Sequence, residues 1–249
     1  MDFTNKVVVV TGASSGIGAA SAILFAKHGA RLTLVGRDEQ RLANVAESCQ
    51  TANGIPPLCL QLDLTANGSC AKVVAKTIAK YERIDVLVNC AAKLLFGSLY
   101  DDNMDAFDEM IDINLRVPYK LTQLALPYLI KTKGNIVNLN STKYRRVRHG
   151  LLPYTITKSG LERFTKSAAI ELASEGVRVN SVGPGMTKTN LFSFDMVSEL
   201  LLQRLLQIFG HELVQMKLAV PTNFVPPQNQ MYEKMNYLYN CFLLYSPML

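Results

Sequence analysis

The sequence is 249 residues long, 49% hydrophobic and 18% charged, and carries a formal net charge of +6. A chain of this length can bury one large core, so a single domain is expected. The positive charge is scattered without a long basic tract, which argues against nucleic acid as a partner. The five cysteines, Cys49, Cys59, Cys70, Cys90 and Cys241, form no CxxC pair. Their odd number argues against a disulfide scaffold and toward a reducing, cytoplasmic compartment. No metal site, secretory signal or apolar run of bilayer-spanning length is read from the sequence.

In chain order, a first strand is predicted at residues 6–10 and runs directly into TGASSGIG, whose Gly12, Gly16 and Gly18 lead into a helix at 19–27. Glycines let the backbone turn tightly and approach a pyrophosphate, whose charge is favoured by the N–H groups and dipole of a helix N-terminus. The position between strand and helix, more than the glycines themselves, marks a dinucleotide loop. The second strand, 31–35, is followed by Gly36, Arg37 and Asp38. Folds that take NAD commonly place a carboxylate here for the ribose 2′-hydroxyl. Gly36 offers none, while Arg37 can pair with a 2′-phosphate, so NADP(H) is the expected cofactor, with NAD(H) left open. The plainer alternative has Arg37 solvated and Asp38 as a helix N-cap.

Further short β-branched runs at 58–62, 85–88, 134–139 and 177–182 alternate with helix-period segments. Six strands separated by crossovers imply a doubly wound, Rossmann-type parallel α/β sheet, with ligands bound at the carboxyl ends of the strands. Three places on this frame carry polar chemistry. Asn114 interrupts the apolar stretch IDINLRVPY, and it can equally be read as an asparagine that kinks or caps the helix. Ser141 follows the strand-like GNIVNLN and can donate a hydrogen bond to a carbonyl whose oxygen gains charge during hydride addition. In YTITK, just after Pro153, Tyr154 and Lys158 lie four apart on one helix face. There the ammonium stabilises a phenolate and lowers the tyrosine pKa toward the range of a general acid/base.

The motifs TGASSGIG, LDLT, NCAA, IDIN, NLNS, YTITK and VNSVGPGMTKT, in this order and at these separations over residues 6–190, resemble the short-chain dehydrogenase/reductase family. The resemblance implies that Gly12, Ser14, Gly16, Ile17 and Gly18 form the cofactor loop, that Asp63 meets adenine, and that Asn89 and Ala91 line the cofactor. It implies Tyr154 as acid/base, Ser141 as the residue orienting the substrate carbonyl, Lys158 as the partner of the nicotinamide ribose, and Asn114 as the support of a water-linked proton relay. Pro184, Gly185, Thr187 and Thr189 match the segment that grips the nicotinamide carboxamide. The expected activity is hydride transfer between NADP(H) and a small carbonyl or secondary-alcohol substrate, of carbonyl reductase, hydroxysteroid or 3-oxoacyl type. The rival reading is a nucleotide-binding or regulatory relative with impaired catalysis.

The chain departs from the family pattern at three places. Cys90 and Ala92 stand where asparagine and glycine are usual. The loop 143–149 carries Arg145, Arg146 and Arg148, read either as a magnet for an anionic substrate or acyl carrier or as a solvated turn. After residue 191 the usual last strand of the family is not readable, so residues 1–191 are expected to form the Rossmann domain and 192–249 an atypical segment. In that segment Val197, Leu200, Leu201, Leu205, Ile208 and Phe209 suggest an amphipathic helix over the substrate. Without the last strand, a homodimer through helices near 104–131 and 154–174 is expected, rather than the tetramer common in the family.

Overall fold

The computed structural model describes residues 2–142, 150–184 and 191, all within the unit Met1–Leu191. The strands are β1 (Val7–Thr11), β2 (Arg31–Gly36), β3 (Leu58–Gln61), β4 (Val86–Asn89), β5 (Asn135–Leu139) and β6 (Arg178–Val182). They pair in parallel in the order β3-β2-β1-β4-β5-β6. The order reverses between β1 and β4, where a crevice opens beyond the strands' carboxyl ends. β1 and β4 are buried along their whole length and are built almost entirely of valine and leucine, as strands covered on both faces require.

Helices α1 (Gly16–Lys27), α2 (Glu39–Asn53), α3 (Ser69–Tyr81), α4 (Asp105–Ile111), α5 (Val117–Thr132) and α6 (Leu152–Glu171) connect the strands. Ile136, Leu87, Val9 and Val35 of the sheet share one core cluster with Leu121, Ala125 and Leu129 of α5 and Val73 and Val74 of α3. The strand positions agree with the sequence-based ones to within a residue or so, and α1 begins at Gly16 rather than residue 19. The single helix expected over 104–131 is two helices joined by a π-helical turn, Asp112–Arg116. Helix α6 starts at Leu152 and ends at Glu171, before a 3₁₀ turn, Ala173–Glu175. Pro153 sits in its first turn, where a missing N–H costs nothing.

At the opposite end of the sheet, Asp85 holds the crevice strands in register. Its carboxylate accepts from Val7 N at 2.9 Å and pairs with Arg83 and Lys6. Burial opposes the charged form, but these partners outweigh it and hold the carboxyl below the usual carboxylate range. The residues 185–190 and 192–249 lie outside those described. So do the expected tail helix, the segment in which no last strand was expected and the basic loop 143–149.

Candidate active site

The glycine loop joins β1 to α1. Gly12 and Gly16 have positive φ, and a Cβ on Gly12 would come within 2.8 Å of Ala91 Cα. A Cβ on Gly18 would lie 2.2 Å from Gly12 O, so the helix can pack against its own loop only with glycine at that position. No side chain caps the N-terminus of α1, and no acid occupies its first turn. A pyrophosphate fits these conditions: glycines permit close backbone approach, and the helix end has neither its own cap nor a competing negative charge.

Beside the loop, a Cβ on Gly36 would lie 3.0 Å from Ser14 Cβ, so Ser14 occupies the space into which a longer side chain at 36 would grow. Arg37 is exposed, and Asp38 is the N-cap of α2, accepting from Arg41 N at 2.9 Å. Both roles in the plainer reading therefore hold, and an exposed guanidinium remains available to a ligand. Asp63 is held below the usual carboxylate range by hydrogen bonds from the Thr65 hydroxyl and N–H, with help from Arg37 and Lys93. Burial, and then Arg37, lower the Lys93 pKa. Arg37, Asp63 and Lys93 thus lie within electrostatic reach of one another along one side of the crevice, although they come from three separate segments.

On the floor of the crevice, Thr11 Oγ1 accepts from both Cys90 N and Ala91 N at 3.0 Å, fixing the chain after β4 against β1. Asn89 is buried and donates from Nδ2 to Asn138 Oδ1 at 2.8 Å, while its own Oδ1 has no hydrogen-bond partner among the described residues. Pro184 O accepts from Thr142 N at 3.1 Å, tying the segment after β6 to the one that follows Ser141. Gly185, Thr187 and Thr189 lie outside the described residues.

At the other end, the four candidate catalytic residues are all buried. Asn114 is in the π-helical turn, a distortion that often accompanies functional sites. Its Oδ1 accepts from Lys93 N at 2.9 Å, and its Nδ2 donates to Lys93 O at 2.9 Å and to Thr157 Oγ1 at 3.2 Å. The kink and the specific polar role are therefore combined in one residue. Tyr154 lies within electrostatic reach of the Ser141 side chain. Burial pushes its pKa above the ordinary tyrosine value, and the Ser141 side chain pulls in the opposite direction. Lys158 Nζ donates to Leu139 O at 2.8 Å and lies 5.8 Å from the Tyr154 ring centre. Its pKa is lowered to about 8 by burial, which the nearby Cys90 thiol partly counters.

Three further residues, Asn140, Glu162 and Ser181, carry no role in the sequence reading. Asn140 Oδ1 accepts from Ser141 N at 2.9 Å, and its Nδ2 donates to Glu162 Oε2 at 3.0 Å. Ser181 Oγ donates to the same oxygen at 2.7 Å. The available signal was the four-residue spacing of Tyr154, Lys158 and Glu162, which puts a carboxylate on the inward face of the helix.

A phosphate-binding loop, a buried Tyr/Lys pair and a serine at the strand end define a dinucleotide-dependent oxidoreductase. A family profile for short chain dehydrogenases matches residues 6–196. The chain is 38% identical over 185 residues to an uncharacterized oxidoreductase of Staphylococcus epidermidis, covering 74% of this chain and 79% of the relative. It is 36% identical over 192 residues to a 3-oxoacyl-[acyl-carrier-protein] reductase of Thermotoga maritima, covering 76% and 77%. Its fold is similar to that of a metagenomic short-chain oxidoreductase solved in complex with NADP, with a TM-score of 0.70, 36% identity, and coverage of 74% and 84%. The chain belongs to the short-chain dehydrogenase/reductase family, whose members act on CH–OH donors with NAD(P). Among the described residues no helix is long and apolar enough to cross a membrane.

The displacement of Lys158 from 10.5 to about 8 corresponds to a burial penalty of about 3 kcal/mol. The penalty is full below pH 8 and is relieved as the pH rises from there toward the unfolded-state value, because the unfolded chain then binds the extra proton. Lys158→Met removes the charge and forfeits about 1 kcal/mol for the bond to Leu139 O. The variant is expected to melt several degrees above the wild type at pH 7, with the gap closing toward pH 10.5. Calorimetry across this range checks the point, and a lower melting temperature at pH 7 would show that the ammonium is not held at a cost.

Proposed function

We propose that this chain is an NADP(H)-dependent carbonyl reductase or alcohol dehydrogenase in which Tyr154 is the acid/base. The observation that carries the proposal is the convergence of three side chains from two elements. Tyr154 and Lys158 project from α6, Ser141 follows β5, and the serine side chain lies within electrostatic reach of the tyrosine.

When bound, the nicotinamide gives or accepts the hydride. Ser141 holds the substrate oxygen in line with Tyr154. In reduction, the carbonyl carbon receives the hydride, the C=O electron pair moves onto oxygen, and Tyr154 delivers its proton there. In oxidation, the phenolate takes the hydroxyl proton as the hydride leaves. Lys158 holds a positive charge beside the phenolate form and positions the ribose, and Asn114 supports the proton path through its grip on Lys93 and Thr157. Lys158→Ala is therefore harmful to both binding and turnover. In Tyr154→Phe, turnover of a panel of ketones, aldehydes and 3-oxoacyl thioesters is expected to fall by at least about 10³-fold, with NADPH affinity kept within about threefold. Near-normal turnover of the Phe variant would remove Tyr154 from the mechanism.

The preference for NADP(H) over NAD(H) is supported by the exposed Arg37, the lack of an acid at Gly36, and Ser14 packed over that glycine. A similar structure that contains NADP supports it too. NADPH is expected to bind at least about tenfold more tightly than NADH, and Arg37→Ala to remove most of that difference. Fluorescence titration of both cofactors measures it, and equal affinities in the wild type would overturn the preference.

A cytoplasmic location is supported by four free cysteines among the described residues, Cys49, Cys59, Cys70 and Cys90. A homodimer through α4, α5 and α6 is supported by Tyr119 on α5 and by Ile156 and Ile170 on α6, which are exposed in the single chain. Light scattering at micromolar concentration is expected to give the mass of two chains, and a stable tetramer would contradict the proposed assembly.

A further inference from the structure

We infer that Glu162 is a positioning residue for the catalytic serine and tyrosine, acting through Asn140; the inference rests on the reading of Tyr154 as the acid/base. Ser141 lies beyond the end of β5 at Leu139, where the flanking main chain is held by Asn140 N donating to Val182 O at 2.7 Å and Thr142 N to Pro184 O at 3.1 Å. Its backbone N–H is held by Asn140 Oδ1 at 2.9 Å, so the orientation of the Asn140 amide sets where Ser141 begins. That amide cannot rotate freely, because its Nδ2 donates to Glu162 Oε2 at 3.0 Å, and Ser181 Oγ donates to the same oxygen at 2.7 Å. The other carboxylate oxygen, Oε1, faces Lys166 at 3.3 Å. One carboxylate therefore joins the helix that carries Tyr154 and Lys158 to the ends of both β5 and β6.

The arrangement forms a second rung beside the first. Lys158 ties α6 to Leu139 O, and one turn further along Glu162 ties it to the next residue of the same chain, Asn140. With Asn138 Nδ2 donating to Thr165 Oγ1 at 2.9 Å, three ties set α6 against the end of β5, and of these only the Glu162 rung reaches the residue next to the serine. Burial opposes the charge on Glu162, yet its hydrogen bonds from Ser181 and Asn140 and the ion pair with Lys166 hold its carboxyl below the usual range. The clamp is therefore an ionised acceptor at neutral pH. Loosening it would let Ser141 shift from Tyr154 and remove the influence that opposes the burial-driven rise of the tyrosine pKa.

The test compares Glu162→Gln with Glu162→Ala in the full chain. Both lose the negative charge, but only glutamine keeps a side-chain oxygen for Asn140 and Ser181, so the difference between the variants reports the clamp itself. Ionisation of Tyr154 is followed through the Cζ resonance of carbon-13 tyrosine, assigned by its loss in Tyr154→Phe, and requires no substrate. The midpoint is expected to rise by about one pH unit in the alanine variant and to stay within about 0.2 unit in the glutamine variant, the size of one charge-assisted hydrogen bond lost or kept. For carbonyl turnover, kcat falls about tenfold in the alanine variant and less than about twofold in the glutamine variant, with the Kd for NADPH unchanged in both. An alanine variant that melts lower but leaves the Tyr154 midpoint in place would make Glu162 a structural brace only, and the inference would fall. Equal shifts in the two variants would overturn it as well, because charge rather than the clamp would then be acting. A wild type inactive on every carbonyl offered counts against the proposed reaction, while the resonance measurement still decides the role of Glu162.

Discussion

An ammonium group kept out of water is the constraint around which the catalytic end of this molecule is arranged. Lys158 is buried, its pKa has fallen to about 8, and its Nζ donates to a main-chain carbonyl at the end of β5. Burying a charged nitrogen is unfavourable by several kcal/mol unless something compensates. The compensation requires α6 to dock on β5 with Leu139 O aimed at the helix. That docking in turn brings Tyr154, one turn before Lys158, to the serine that follows β5. The cost of desolvation and the placing of Tyr154 beside the serine are consequently one structural fact.

The cofactor end is organised by different means. Here the protein contributes mostly backbone: a loop in which Gly12 and Gly18 nearly touch, a helix end free of a side-chain cap, and a threonine that gathers the N–H groups of Cys90 and Ala91. Among the described residues, side-chain charge enters along the rim, at Arg37, Asp63 and Lys93. Lys93 also links the two ends, since its backbone is held on both sides by Asn114 in the π-helical turn. A register change in that turn would move Asn114 and the rim lysine together.

Between the ends runs a layer of buried amides and hydroxyls. Asn89 donates to Asn138, which donates to Thr165 of α6, and Asn140 continues the line to Glu162. Side-chain networks of this kind in a low-dielectric interior specify one packing arrangement, because every alternative leaves polar groups without partners. Here they fix the rotation of α6 against the sheet more tightly than its apolar contacts could alone, since apolar contact is non-directional.

Strand positions, the parallel sheet, the glycine loop and the Tyr/Lys pair were all legible in the sequence, because each depends on local periodicity or on residues a few positions apart. β-branched runs identify strands wherever they pack, and a spacing of four places two side chains on one helix face in any fold. The pairing of Asn140 with Glu162 and the grip of Asn114 on Lys93 join residues 22 and 21 positions apart in the chain. No local pattern encodes such contacts; they exist only once the crossovers have brought the strand ends together. The π-helical turn belongs with them, since its sequence DINLR reads as ordinary helix. The sequence by itself determined which chemical groups are present and on which elements they stand. Their environment, and with it the lowered lysine pKa and the fixed serine, was decided by tertiary packing, because desolvation and hydrogen-bond geometry depend on what surrounds a group rather than on what precedes it in the chain.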